Sequence, residues 1–261
     1  MLADPGNGEN ARKGIGLGII INILRNIRDL VFPVRCPVCD RPVYYFERKD
    51  GICSRCRNCL PIIKNNRCYK CGRALAGNEK ELCRDCQIRK STHLYARGLV
   101  LCSYNDVMRE SIYRMKYQGR REYAEAYGKL LAKQFGPAMK RAGIEGIIPV
   151  PLHPKREYER GYNQAALLAE TLGEETGIKV FEDYVMRIRH TPPMKSLSAG
   201  ERQNNLKKAF KIGQNDVKLR VPIVIDDIYT TGSTIDAVAK VLIEAGVSRV
   251  YFITLAIGED L

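Results

Sequence analysis

Residues 224–234 read VIDDIYTTGST, an apolar strand that ends in two acids and passes into a hydroxyl-rich turn before a helix. The acids are Asp226 and Asp227, and the hydroxyls belong to Thr230, Thr231, Ser233 and Thr234. Helix N-termini bind phosphate through unpaired N–H groups and the positive end of the helix dipole. Gly232 lets the backbone approach a ligand closely. Because carboxylates beside a phosphate accept hydrogen bonds from sugar hydroxyls, this stretch predicts a ribose 5-phosphate site.

A nucleotide-hydrolase loop is the main alternative for a strand that ends in acids. That loop requires the pattern Gly-x-x-x-x-Gly-Lys-Ser/Thr, whose backbone N–H groups surround the phosphates. The chain has one Gly-Lys pair, Gly128-Lys129, and Leu130 follows it, so the required pattern is missing. A purely structural turn is a second alternative, but two acids and four hydroxyls would be costly for one.

The segments around this stretch alternate between strand and helix patterns. Strand patterns lie at 98–103, 147–150, 221–225 and 249–256, and helix patterns at 107–117, 122–142, 162–176 and 234–245, with a disturbance at Gly136-Pro137. Such alternation predicts an α/β fold, a parallel sheet flanked by helices. Ligands bind at the carboxyl ends of strands in these sheets, so the loops after Val150 and Ile225 are the candidate site.

Composition and charge limit the classes of function. The chain has 261 residues, 45% of them hydrophobic, which excludes wholesale disorder. A net charge of +14 suits a polyanionic partner, either nucleic acid or phosphate. No apolar run approaches the ~18 residues that a membrane-spanning helix needs, so we expect no membrane span and a cytoplasmic protein.

Residues 1–34 are predicted to form a disordered start followed by an amphipathic helix. The helical spacing is carried by Ile20, Ile23, Leu24, Ile27 and Leu30. The apolar run 14–24 follows Arg12 and Lys13, as in a signal peptide, but no small-x-small cleavage site comes after it.

Nine of the ten cysteines lie between positions 36 and 86. Eight of them form the Cys-x-x-Cys pairs Cys36/Cys39, Cys53/Cys56, Cys68/Cys71 and Cys83/Cys86. Two such pairs complete a tetrahedral Cys₄ site, so four pairs predict two closed, structural Zn²⁺ sites in a double zinc ribbon over residues 35–90. A segment this short has too little core to fold alone, and metal binding supplies roughly 10–16 kcal/mol per site.

Some ligand and metal alternatives stay open at this point. Cys59 follows Cys56 at the same spacing, so either Cys53 or Cys59 completes the second pair, and we favour Cys53. Disulfides or an iron–sulfur cluster are alternatives to zinc, although nothing in the sequence indicates an oxidising compartment. Cys102 lies in an apolar strand pattern and is expected in the core.

The cysteine-rich segment is also basic, since residues 1–90 carry +9 of the net charge. Its basic residues near the ligands are Arg55, Arg57, Lys64, Arg67, Lys70, Arg73 and Arg84. They either solvate the surface or contact the phosphates of nucleic acid, with Tyr69 as the aromatic side chain that could stack on a base.

Further motifs accompany these features in a fixed order. They are Lys116-Tyr117-x-Gly119-Arg120, Val150-Pro151-Leu152-His153, Arg160-Gly161-Tyr162-Asn163-Gln164 and Leu197-Ser198-x-x-Glu201-Arg202. Residues 221–234 resemble the phosphoribosyl-pyrophosphate (PRPP) motif of type I phosphoribosyltransferases. The whole pattern over about residues 30–257 resembles the ComF family of competence-associated proteins, which joins a Cys₄ zinc ribbon to a phosphoribosyltransferase domain. The resemblance therefore implies a type I phosphoribosyltransferase-like domain over residues 91–261.

The resemblance also implies roles for individual residues. Asp226 and Asp227 would hold the ribose hydroxyls, and the loop Thr230–Thr234 would bind the 5-phosphate. The cations that would meet the pyrophosphate, together with Mg²⁺, are Lys155, Arg156 and Arg160. Segment 187–205 resembles a loop that closes over the site; it carries Arg187, Arg189, His190 and Arg202, of which Arg202 joins the two acids as the catalytic set. Met194 stands where the family usually has Gln, which puts a polar contact in doubt.

Three functions follow as expectations. The first is transfer of a ribose 5-phosphate group from PRPP to an unknown acceptor, which is a glycosyltransferase activity. The second is non-catalytic handling of single-stranded DNA in DNA uptake, with the uptake machinery as partner. The third is a PRPP-sensing scaffold. Lys116 and Arg120 either face phosphate or solvate a helix end, and His153 either takes part in proton transfer or lies in a surface loop.

Overall fold

The computed structural model describes residues 33–43, 51–64, 66–75, 77, 81–88, 93–189, 209–213 and 217–258. Its helices are α1 (Arg84–Ile88), α2 (Asp106–Tyr117), α3 (Tyr123–Arg141), α4 (Pro154–Arg160), α5 (Gln164–Thr176) and α6 (Ser233–Glu244). Its strands are β1 (Arg97–Ser103), β2 (Gly146–Pro149), β3 (Val185–Arg187), β4 (Phe210–Ile212), β5 (Pro222–Tyr229) and β6 (Tyr251–Ile257). The N-terminal helix predicted within residues 1–34 lies outside the described residues, apart from positions 33 and 34.

Four strands form a parallel sheet in the order β1-β6-β5-β2. Buried residues of α2, α3 and α5 pack in one hydrophobic cluster, and those of α6, β3 and β4 pack in another. The antiparallel pair β3–β4 stands apart from the main sheet. The predicted parallel α/β sheet flanked by helices is therefore confirmed.

Strand β5 is longer than its apolar pattern predicts. The sequence places its end at Ile225, whereas pairing with β6 continues from Ile223 to Tyr229, opposite Ile257. The hydrogen-bonded ladder with β6 carries the strand through both acids, with Asp226 opposite Thr254. Asp226 and Asp227 therefore lie within the last half of the strand rather than beyond its end.

Two local details also differ from the sequence patterns. Helix α3 runs through Pro137 without a break, because Phe135 and Met139 are buried on either side of the proline and hold that turn against the core. The loop predicted after Val150 is short, because helix α4 begins at Pro154 after the N-cap His153. The His153 side chain accepts a hydrogen bond from the Lys155 N–H (3.3 Å), so this histidine caps a helix.

The cysteine-rich segment packs directly on the sheet domain. The N–H of Ile63 donates to the carbonyl of Leu101 (2.9 Å), and the N–H of Gly98 donates to the carbonyl of Lys70 (2.8 Å). A Cβ at Gly98 would collide with Phe252 and lie 2.7 Å from the Cys71 carbonyl oxygen, so only glycine permits this approach. Both hydrophobic clusters contain residues from the two parts of the chain.

Three basic residues of the cysteine-rich segment stabilise this interface. The sequence alone left open whether they solvate the surface or contact nucleic acid. Arg67 donates to the carbonyl of Val100 and lies 5.3 Å from the Phe135 ring. Lys70 donates to the carbonyl of Tyr95. Arg73, which is 6% exposed, donates to the carbonyl of Gly258 at the end of β6. These three basic side chains therefore stabilise the packing of the cysteine-rich segment on the sheet domain. Among the helices described, none is long and apolar enough to cross a membrane.

Candidate functional site

The eight paired cysteines form two clusters of sulfur atoms. Within each cluster the sulfurs lie within 4.8 Å of one another, one set from Cys36, Cys39, Cys53 and Cys56 and the other from Cys68, Cys71, Cys83 and Cys86. The Cys39–Cys53 and Cys71–Cys83 sulfur pairs are 3.8 and 3.6 Å apart. A tetrahedral ion with Zn–S bonds of ~2.3 Å places its sulfurs about 3.8 Å apart, so both clusters fit structural Zn²⁺ and neither holds disulfides.

The structure settles which cysteine completes the second pair. Cys53 belongs to the first cluster, whereas Cys59 is exposed and its sulfur lies 3.7 Å from the carbonyl oxygen of Arg55. Cys102 is buried in β1, as expected for a core residue.

We expect Cys59→Ser to leave the zinc content of the purified protein unchanged at two ions per chain. The exposed Cys59 thiol is outside both sulfur clusters, so serine removes no metal ligand. Cys53→Ser is the matched variant and should lose one ion. Elemental analysis gives the count, and loss of zinc from Cys59→Ser would contradict the assignment.

The hydroxyl-rich turn lies between β5 and α6. Gly232 is the N-cap of α6 with φ 78°, in the left-handed region, and a Cβ there would collide with the Tyr229 hydroxyl. The hydroxyls of Thr231 and Ser233 are 2.9 Å apart. This loop thus presents hydroxyls at a helix N-terminus whose backbone N–H groups favour an anion.

The two acids make different contacts because successive strand residues point to opposite faces. Asp227 is buried and forms an ion pair with Lys116, at the end of α2. Asp226 accepts a hydrogen bond from the N–H of Asp227 (2.8 Å). Burial, reinforced by the charge of Asp227, raises the pKa of Asp226 from 3.8 to about 7, although Lys116 opposes the shift.

We expect Asp226→Asn to remove a pH dependence of stability. Between pH 4 and 7 the folded protein keeps a proton on Asp226 that the unfolded chain has lost. This group therefore lowers the free energy of unfolding as pH rises through that range, by up to about 1.4 kcal/mol per pH unit. Urea denaturation should show the free energy of unfolding of the variant rising relative to that of the wild type between pH 5 and 7. Above pH 8 the difference between the two should stay constant. A constant difference would contradict the raised pKa.

A cavity of 310 Å³ lies beside Lys116 and is lined by Lys116, Tyr117, Gly119, Arg156, Glu159 and Arg160. Arg160 lies over the Tyr117 ring at 5.1 Å. The structure thus brings two of the three predicted pyrophosphate cations together with Lys116, whereas Lys155 is exposed and outside this lining. Arg120 instead pairs with Asp40 of the cysteine-rich segment (2.8 Å).

The predicted closing segment is only partly described. Arg202, His190 and Met194 lie outside the described residues. Arg187 belongs to β3, is buried and lies 5.5 Å from the Phe210 ring. Burial lowers the pKa of Arg187, while the charge of Asp226 opposes that shift. This cation therefore lies on a strand rather than in a loop, and it interacts electrostatically with Asp226.

Sequence patterns missed a group of residues beside the hydroxyl-rich turn. His93 Nδ1 lies 2.7 Å from a carboxylate oxygen of Asp236 in the first turn of α6. The His93 ring stacks on Tyr95 at 4.9 Å, and His93 lines a narrow crevice with Thr230 and Thr231. Asp236 follows the loop in the sequence, but no local signal pairs it with a histidine 143 residues away.

Comparisons with known proteins identify the family of this chain. A family model described as "Double zinc ribbon domain" matches residues 27–87. Competence protein F of Haemophilus influenzae is 31% identical over 215 residues, which cover 76% of this chain and 93% of that protein. The chain belongs to the ComF family. Other relatives in this family are the DNA utilization protein YhgH of Escherichia coli K12, 30% identical over 77% of this chain and 94% of its own, and the competence protein ComFC of Bacillus subtilis, 28% identical over 81% and 89%.

Solved structures similar to this ComF-family chain include adenine phosphoribosyltransferases. One covers 57% of this chain and 76% of its own, with a TM-score of 0.35 and 16% identity. The enzyme from Saccharomyces cerevisiae covers 56% and 73%, with a TM-score of 0.33 and 18% identity.

Proposed function

We propose that the protein binds PRPP and transfers its ribose 5-phosphate group to an acceptor that we leave unassigned. The observation that carries the proposal is the continuity of three features at one edge of the sheet. The hydroxyl loop follows the acids directly in sequence, and Lys116 touches Asp227 while also lining the cationic cavity. The hydroxyl loop would meet the phosphate, the acids would meet the sugar diol, and the cationic cavity would meet the pyrophosphate.

In this proposal each group takes part in one step. The loop at the N-terminus of α6 would hold the 5-phosphate, and Asp226 would accept hydrogen bonds from the ribose hydroxyls. Lys116, Arg156 and Arg160 would stabilise the negative charge that develops on the departing pyrophosphate. Water exclusion would come from a segment that closes over the site, for which 187–205 and its Arg202 remain our candidates.

Mg²⁺ would enter with the substrate. The ion keeps several waters and is commonly held by one or two carboxylates plus substrate phosphates. Lys116 already engages Asp227, so Asp226 would be the carboxylate nearer the ion. The donor set thus fits a phosphate-bound Mg²⁺, which would neutralise pyrophosphate charge.

Titration calorimetry with PRPP and Mg²⁺ tests the binding step. We expect Thr231→Val to weaken PRPP binding about 10- to 150-fold, because a hydrogen bond to a charged group contributes about 1.5–3 kcal/mol. Thr171→Val is the matched control, since Thr171 is a buried threonine on α5 that bonds to the Leu167 carbonyl. Equal affinities in wild type and Thr231→Val would contradict the site. Pyrophosphate release with a panel of acceptor bases then tests transfer.

A second candidate function is the handling of single-stranded nucleic acid. Tyr69 is 63% exposed on the cysteine-rich segment, with the Arg97 guanidinium 4.8 Å from its ring. An exposed aromatic next to a cation suits a stacked base. The names of the H. influenzae and B. subtilis relatives refer to competence, and that of the E. coli relative refers to DNA utilization.

A salt titration of single-stranded DNA binding tests the second function. We expect the log–log slope to flatten by about 0.7 for each phosphate contact removed. Arg55→Ser and Lys64→Ser are the informative variants because both side chains are exposed. Arg67, Lys70 and Arg73 are unsuitable because they hold the fold. Unchanged DNA affinity in Arg55→Ser, Lys64→Ser and Tyr69→Leu would exclude this surface.

A further inference from the structure

The second zinc ribbon, residues 66–75 and 81–88, packs against residues 230–234, called here the phosphate loop because they would hold the 5-phosphate. Cys71 and Cys86 line the same narrow crevice as Tyr229, Thr230 and Thr231. The four ligand cysteines of this ribbon belong to the hydrophobic cluster that also contains Tyr95, Tyr229 and Ile235 of α6. The metal centre and the loop therefore share one packed core.

Two buried tyrosines connect the ribbon side to the loop side. The hydroxyls of Tyr95 and Tyr229 are 2.7 Å apart. The Tyr229 ring stacks on Phe252 at 4.9 Å, and the Tyr95 ring meets the same Phe252 edge-on at 4.7 Å. Lys70 of the ribbon donates to the Tyr95 carbonyl and lies 5.0 Å from its ring. Tyr95 is thus held by the ribbon and in turn holds Tyr229.

The backbone of Tyr229 has a second connection to the ribbon. Its carbonyl accepts a hydrogen bond from the N–H of Gly258 (2.9 Å). The Gly258 carbonyl accepts from Arg73, which also bonds to the ribbon's Asp85 (3.3 Å). Both the side chain and the backbone of Tyr229 are therefore fixed by groups of the second ribbon.

Tyr229 in turn determines where the loop backbone lies. Gly232 packs so closely over the Tyr229 hydroxyl that a Cβ would collide with it. A shift of the tyrosine ring would displace Gly232 and the N–H groups that follow it. Close-packed interiors transmit such displacements because few voids absorb them.

We propose that zinc binding in the second ribbon and sugar-phosphate binding at the loop are energetically coupled, with Tyr95 as the positioning residue between them. This inference rests on the proposed sugar-phosphate site. Coupling between two binding events is reciprocal, so a bound sugar phosphate should also slow zinc loss from the second ribbon. The first ribbon, which carries Cys36, Cys39, Cys53 and Cys56, contacts residues around the start of α3 instead. There Asp40 bonds to Arg120 and Tyr123, so the zinc of the first ribbon should be affected less.

The first test compares two conservative variants. Tyr95→Phe removes the hydroxyl bond to Tyr229, and Tyr123→Phe, the matched control, removes a buried hydroxyl bond to Asp40 of the first ribbon (2.6 Å). We expect hydrogen exchange in peptides covering 229–235 to accelerate about fivefold in Tyr95→Phe, as for the loss of one hydrogen bond. The zinc content should stay at two ions, and Tyr123→Phe should leave exchange in 229–235 unchanged. Equal exchange in 229–235 for wild type and Tyr95→Phe would overturn the positioning role.

The second test measures the reverse direction. The zinc-loaded protein is exposed to a chelator and a thiol-alkylating reagent, with and without PRPP or ribose 5-phosphate, and mass spectrometry follows each cysteine. We expect the ligand to slow alkylation of Cys68, Cys71, Cys83 and Cys86 several-fold more than alkylation of the first-cluster cysteines in the wild type. This difference should shrink in Tyr95→Phe. Equal slowing at both clusters would show general stabilisation and overturn the coupling. If the wild type binds neither sugar phosphate by calorimetry, the proposed function fails, while the exchange comparison still decides whether Tyr95 positions the loop.

Discussion

Removal of zinc is expected to unfold the sheet domain together with the ribbons. Structural zinc contributes roughly 10–16 kcal/mol of binding free energy per site, which equals or exceeds the 5–15 kcal/mol stability of a typical domain. The ribbons share both hydrophobic clusters with the sheet and hydrogen-bond to β1 at Gly98 and Leu101. Without metal, loss of the ribbon turns would open these contacts.

Circular dichroism during titration with a zinc chelator measures this effect. We expect the helix signal of α2–α6 to fall in step with zinc release and to return when zinc is restored under reducing conditions. Cys59→Ser is the control variant and should behave as the wild type, because Cys59 lies outside both clusters. A sheet domain that melts at an unchanged temperature after complete zinc loss would show that the ribbons are independent modules.

Lys116→Met is expected to destabilise the protein by about 3–5 kcal/mol. The Asp227 side chain of this ion pair is buried, at 5% exposed, and the Lys116 side chain is partly buried, at 19% exposed. Removal of one partner of a buried pair leaves an uncompensated charge in the interior, which accounts for the large cost. Methionine keeps most of the side-chain volume, so the effect isolates the charge.

The double variant Lys116→Met/Asp227→Asn should recover most of that loss, because neither charge then remains buried alone. Lys129→Met is the matched control, since Lys129 pairs with Glu125 at 2.6 Å on the exposed face of α3. Its loss should cost at most about 0.5 kcal/mol. Urea denaturation at constant pH gives all three free energies. A double variant as unstable as Lys116→Met would contradict a pairwise charge effect.

The ion pair between Lys116 and Asp227 also determines how the two acids should be tested. Their position in the sequence suggests a strand end where both could be replaced without harm to the fold. Asp227→Asn would leave the partly buried Lys116 without its partner. Thr231→Val is therefore the cleaner probe of ligand binding, since it leaves the ion pair intact.

The sequence alone determined the features that depend on short spacings. Cysteines two residues apart chelate one metal from a single turn, so the ligand pairs were predictable, and the strand-turn-helix around Gly232 is likewise local. Apolar periodicity located β1, β2, β6 and the long helices to within a few residues, because burial on one face imposes that period. The predicted end of β5 was wrong by four residues, since ladder pairing with β6 continues past the two acids despite their polarity.

Only the tertiary structure decided which distant residues meet. Lys116 and Asp227 are 111 positions apart in the sequence, and Tyr95 and Tyr229 are 134 apart, yet each pair is in direct contact. Cys53 and Cys59 offered equivalent spacings, and the choice came from which sulfur reaches the cluster in three dimensions. Local patterns carry no information on how a ribbon lies against a sheet, because that packing depends on the shapes of both surfaces. The attachment of the second ribbon behind the phosphate loop is therefore a property of the folded chain.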